Sequence, residues 1–202
     1  MKAIKRYRRY RRVGMELNHK IIDALVDSEV IEIAARALGL GGNRQLVLDS
    51  EDDLAVLMDF ALYEIRRGGK SLVERYRQQY GGANHVERLL LDAMVRAQTG
   101  LFVVEGVEPS KYLIRLRGLV GEREEVGLTD INFSQTLRGD VILFFRPVRV
   151  EEFTMTSGCV FAFWGRFEPK LLETWRKAKD PADRFVRFFK LSRKKGIPTL
   201  FV

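Results

Sequence analysis

The spacing of apolar residues changes period near residue 100. Before it, apolar positions recur three and four apart, the period of a helix with one buried face. Leu17, Ile21, Ile22 and Leu25 form one stripe, and Val30, Ile31, Ala34 and Leu38 a second, with a break at Asp27-Ser28. The glycine-rich Leu38–Gly42 stops that helix, and Leu46-Val47-Leu48 reads as a short strand. Ser50 with Asp53, Ser71 with Glu74, and Asn84 with Glu87 resemble capping boxes and open three more helices. Leu54, Leu57, Met58, Ala61 and Ile65 give the first of these its inward stripe. Val86, Leu89, Leu90, Ala93, Met94 and Ala97 do the same for the last.

From Gly100 to Gly165 the apolar runs shorten and are cut by Pro, Gly, Asn and Asp, the punctuation of a meandering sheet. Strands are predicted at 101–107, 112–116, 124–128, 141–150 and 159–164. Tyr112, Ile114 and Leu116 alternate with Leu113, Arg115 and Arg117, so one strand face is cationic. Residues 141–145 are apolar throughout, as in a strand buried on both sides. Pro147 then forces a bend or an edge, because it has no N–H for a ladder. Beyond residue 166 two helices follow. Pro181 opens the second, which carries Phe185, Phe188 and Phe189 on one side and Arg184, Arg187, Lys190 and Lys194 on another. Thr199 to Val202 would add an edge strand.

The predicted fold is α+β. It has a helical N-terminal half, a small antiparallel five-stranded barrel of SH3-like or OB-like size, and C-terminal helices packed on it. The segments are a basic arm at 1–14, a helical subdomain at 15–99, the barrel at 100–165 and basic amphipathic helices at 166–202. The barrel segment also resembles a small barrel in poorly characterised bacterial proteins, in some of which it sits near a cysteine-rich SEC-C zinc motif. Phe102-Val103-Val104, Gly121-Glu122, Val126, Ser134, Leu137, Gly139-Asp140, Arg146, Val148 and Ser157-Gly158 carry the likeness. The zinc motif itself is absent, so the resemblance implies no metal site.

Charge refines the picture. The chain carries a formal net charge of +8, and its basic residues sit at the ends. Residues 1–12 hold seven Lys/Arg and no acid; residues 166–195 hold eleven Lys/Arg against Glu168, Glu173, Asp180 and Asp183. The middle is therefore net acidic. This layout points to a polyanionic partner, RNA ahead of DNA, with an acidic protein as the other choice. Phosphate contacts are expected from Lys5, Arg6, Arg8, Arg9, Arg11 and Arg12 on the arm and from Arg184, Arg187, Lys190 and Lys194 on the last helix. Arg115, Arg117 and Arg146 would be the barrel's contribution, and Tyr7 and Tyr10 would stack on bases.

Chemistry is sparse. The only histidines are His19 and His85, and Cys159 is the only cysteine, which excludes an internal disulfide and a multi-cysteine zinc site. Asp52-Asp53, Glu124-Glu125 and Glu151-Glu152 are adjacent pairs whose side chains diverge on a regular element. The glycines at 39–42 follow a helix, the wrong context for a nucleotide-binding loop. No apolar run approaches the roughly 20 residues of a membrane span. The expectation is a cytoplasmic, non-enzymatic accessory protein with no cofactor and no metal. The rivals are a protein-interaction module docking through the acidic middle and a metal-dependent nuclease with dispersed carboxylates.

Overall fold

The computed structural model describes residues 2–42, 45–46, 48, 51–121 and 124–198. They fall into two compact units, Met1–Arg96 and Ala97–Val202. The first unit is mainly helical, the second is a barrel with three helices, and the α+β class holds. The predicted cap at Ser50, part of the strand at 46–48, Glu122 of the barrel likeness and the edge strand at 199–202 lie outside the described residues.

The first unit contains α1 (Lys2–Leu25), α2 (Ser28–Leu38), α3 (Glu51–Tyr63), α4 (Leu72–Tyr80) and α5 (His85–Arg96). The segment read as an arm is the first half of α1, so no boundary falls at residue 14. Leu17 and Ile21 of α1, Val30 and Ala34 of α2, Leu57 and Ala61 of α3, Leu72 and Val73 of α4, and Leu90 and Leu91 of α5 are buried. In α3 the inward face is rotated from the expected one: Val56 and Phe60 are buried, while Leu54 is 44% exposed.

Local signals explain the helix ends. Ser71 and Glu74 form a full capping box at α4, as their spacing predicts. At α5 the Asn84 side chain accepts from the Glu87 N–H at 3.1 Å, and Glu87 Oε2 accepts from Ala83 N–H at 3.0 Å. Glu87 also receives Lys20 Nζ of α1 at 2.7 Å, which holds its carboxyl below the usual range. Gly39, at φ 78°, stops α2 in the left-handed region.

Asp27 does two jobs. Its side chain caps α2 at Val30 N–H and takes a two-pronged bond from Arg67, at 2.7 and 2.9 Å, while Arg67 also reaches Glu29 at 2.7 Å. Arg67 lies on the small antiparallel ladder Arg66–Arg67 with Lys70–Ser71. The Arg67 bonds first, and the Val30 cap second, lower the Asp27 pKa from 3.8 to about 2. A carboxyl with a depressed folded pKa stabilises the fold above its unfolded value and stops doing so as pH falls toward the folded one. Stability contributed by Asp27 is therefore expected to be complete above about pH 4 and to fade between about pH 4 and pH 2. Denaturant midpoints measured across that window should show a shallower fall for Asp27→Asn than for the unchanged chain; equal slopes would refute the assignment.

The second unit begins with β1 (Gly100–Glu108), β2 (Leu113–Gly118) and β3 (Glu125–Thr129). A short α6 (Ile131–Thr136) leads into β4 (Val141–Val150) and β5 (Phe153–Trp164). The strands close a barrel in the order β1-β2-β3-β5-β4. Four seams are antiparallel, and the fifth, between β3 and β5, is parallel and consists of one residue pair, Leu128 with Thr154. The barrel is thus mixed, not purely antiparallel as expected. This strand order, with a helix between β3 and β4, belongs to the OB-like alternative. Pro147 sits at a register shift in β4, where its missing N–H costs no ladder bond.

Phe102, Ile114, Leu116, Val126, Leu128, Val141, Leu143, Phe145, Val160 and Ala162 fill the barrel. β4 is buried on both sides, as its unbroken apolar run predicts. Its outer face lies under α7 (Glu168–Lys177) and α8 (Pro181–Lys195). There Phe144 stacks on Phe188 with ring centres 4.1 Å apart and planes 5° apart, and Phe161 meets Phe185 edge-on at 5.5 Å. The aromatic face of α8 is core, as its spacing suggests.

Candidate functional site

On α1, Lys5, Arg8, Arg9 and Arg12 lie at i, i+3, i+4 and i+7 and are exposed. This spacing sets them on one helical face, along about 10 Å of axis. The opposite face carries buried Tyr7, Tyr10, Leu17 and Ile21. Among the described residues, Arg12 meets Glu16 only at 3.9 Å, both side chains being well exposed, a contact too weak to neutralise the stripe. Arg6 is exposed beside it, and Arg11 is half-buried.

Tyr7 and Tyr10 are each 5% exposed. The stacking role expected of them is therefore corrected: their rings anchor the helix, and their burial turns the cations outward. The sequence signal for both roles is the same three-residue spacing, and burial decides between them.

The basic stripe on α8 is partly spent within its own unit. The Arg184 guanidinium lies 3.9 Å from the Trp175 ring centre, and Arg187 Nε donates to Asp183 at 2.8 Å. Asp183 also accepts from Lys179 N–H, the leading cause of its lowered pKa. Arg184 thus fastens α8 to α7, while Arg187 is paired within α8. Lys190 and Lys194 remain exposed.

The barrel cations behave differently from expectation. Arg115 pairs with Glu108 at 2.7 Å and Arg117 with Glu105 at 2.5 Å, across the β1–β2 seam. Arg149 pairs with Glu124 at 2.6 Å. Cross-strand pairing self-neutralises this face, so Arg115 and Arg117 offer little net positive field. Arg146 is 4% exposed, with Nη1 near the Ala97 carbonyl at 3.4 Å, and it is not a surface contact. It sits next to the β4 register shift, in a strand buried on both sides.

The acidic middle is partly internal, since Asp53, Asp59, Glu64 and Glu87 are buried. That leaves less carboxylate surface for a partner to dock on. Among the described residues, no group of three or more His, Cys, Asp or Glu side chains is placed to hold a metal ion. Cys159 is buried. No described helix is long and apolar enough to cross a membrane. Two exposed aromatics escaped the sequence reading: Tyr80, at the end of α4, is 52% exposed, and Trp164, at the last position of β5, is 40% exposed.

The whole chain, residues 1–202, matches the model of a family of unknown function (DUF7986). No curated protein and no solved structure matches it.

Proposed function

The chain belongs to the DUF7986 family, and we propose that it is a cytoplasmic accessory protein that binds nucleic acid through phosphate contacts and has no catalytic role of its own. The observation that carries this reading is the α1 stripe of Lys5, Arg8, Arg9 and Arg12, held outward by the buried Tyr7 and Tyr10. Four cations on one helical face concentrate positive charge where phosphates can displace their counterions. Lys190 and Lys194 supply further positive charge on α8. The OB-like barrel lends general support, because such barrels often serve oligonucleotide binding, but fold alone carries little weight. With both tyrosines buried, the arm itself gives no reason to prefer RNA over DNA; RNA stands as the first polymer to test.

Fluorescence anisotropy with a single-stranded 20-nucleotide RNA, repeated with DNA and with duplex of the same sequence, tests this between 50 and 200 mM salt. Neutralising Lys5, Arg8, Arg9 and Arg12 together to alanine is expected to weaken binding about tenfold at the lower salt. It should also flatten the log–log salt slope by about 0.7 for each lost contact to a single strand. An unchanged affinity and slope would sink the stripe as the contact surface.

A further inference from the structure

Along β5, Val160 and Ala162 point into the barrel. Trp164 has the same parity and faces the buried Val141 across the ladder, at the last position of the strand. Its ring stays 40% exposed. Its Cζ3 comes 3.3 Å from the point where a Cβ on Gly139 would stand. Gly139 adopts φ 82°, which suits glycine, and its missing side chain leaves room for the indole edge. The ring is thus propped in place by backbone.

Basic residues stand near Trp164 along the chain and the strand. Arg138 precedes Gly139 on the same turn and donates Nη1 to the Leu137 carbonyl at 2.7 Å; Arg166 follows Trp164 by two residues, with its guanidinium 5.3 Å from the Phe167 ring centre; both side chains are exposed. The antiparallel bridge of Ile197 with Ala162, with Ile197 N–H donating to the Ala162 carbonyl at 2.8 Å, returns the chain from α8 along β5. That return brings Lys194 and Lys195, both exposed, to the same end of the strand. The acids at this end are Asp140, whose carboxylate rests against Gly165, and Glu168 at the start of α7.

We propose that Trp164, flanked by Arg138, Arg166, Lys194 and Lys195, is a base-stacking platform for single-stranded nucleic acid. The proposal rests on the nucleic-acid reading above and adds a second contact of different chemistry. An exposed, propped indole offers a flat face to any unpaired base, and the surrounding cations meet the flanking phosphates. Bases stacked inside a duplex cannot reach such a face, so the platform selects single strands.

The test uses the full chain and a 12-nucleotide oligouridylate, with a duplex as comparison. Trp164→Ala should bind the single strand about tenfold more weakly than the unchanged chain, while Trp164→Phe, which keeps a stacking ring, should stay within about threefold. Duplex affinity should be the same for all three. Oligouridylate should quench tryptophan emission of the unchanged chain and leave that of Trp164→Phe unaltered. Equal single-strand affinity of Trp164→Ala and the unchanged chain overturns the platform. So does an equal loss on single strand and duplex, or quenching by a polyproline peptide but not by the oligonucleotide. If the α1 variant loses affinity and Trp164→Ala does not, only the platform falls; if the unchanged chain binds neither polymer, the nucleic-acid reading falls with it.

Discussion

Phe188→Ala is expected to destabilise the barrel unit by about 3–5 kcal/mol, the range for a buried phenylalanine that leaves a cavity. Phe188 is 0% exposed and is the hub of the outer aromatic cluster. It stacks on Phe144 and meets Phe163 and Trp175 edge-on at 6.1 and 6.3 Å. The cavity would open between a helix and a strand that are each held by other contacts, so its walls have little freedom to collapse. Urea unfolding followed by circular dichroism gives the number. Pairing it with Phe144→Ala in a double-mutant cycle should return a coupling of about 0.5–1.5 kcal/mol for the stacked rings. A loss for Phe188→Ala below about 1.5 kcal/mol would show that the α8 aromatics pack more loosely than described.

Gly82→Ala should be the second costly change, at about 2–3 kcal/mol. A Cβ there would stand 2.5 Å from the backbone nitrogen of Arg88 and 2.9 Å from its Cα. The obstacle is the first turn of α5, which Asn84 and Glu87 pin in place, so no side-chain rotation relieves it. Gly68 offers the contrast. It has φ 62° and nothing within 4 Å of an added Cβ, and asparagine tolerates that backbone conformation. Gly68→Asn is therefore expected to stay within about 0.5 kcal/mol. Comparing the two unfolding midpoints checks the ranking, and a reversal would contradict the crowding at Gly82.

What the sequence made legible was local. The box Ser71–Glu74 and the Asn84 cap on Glu87 N–H close within one helical turn, so spacing alone identifies them. The Phe185, Phe188, Phe189 stripe and the doubly buried β4 follow from period and from the lack of alternation. The rest depended on contacts distant in the chain. Nothing in residues 2–12 marks a helix start with an acid or a cap; burial of Tyr7 and Tyr10 marks it instead. The parallel β3–β5 seam has no sequence signature because it joins strands separated by α6 and β4. In the candidate site, the cations were legible and their partners were not. Arg117 meets Glu105, and Arg115 meets Glu108, because of a register that includes a shift in β1 between Val104 and Gly106. Trp164 was missed because parity alone groups it with Val160 and Ala162, whereas at the end of β5 its ring is 40% exposed.

The uneven seams of the barrel bear on how the chain assembles it. β1, β2 and β3 join through short connections, as do β4 and β5, so each group meets its neighbours at low cost in chain entropy. The two groups then meet along β1 with β4, a run of four residue pairs, and along β3 with β5, a single pair. Contacts between residues far apart in sequence are the ones that slow folding. A three-strand meander and a long hairpin can thus gather locally before their union sets the pace. The single-pair seam, having least to gain from early closure, is the natural last step.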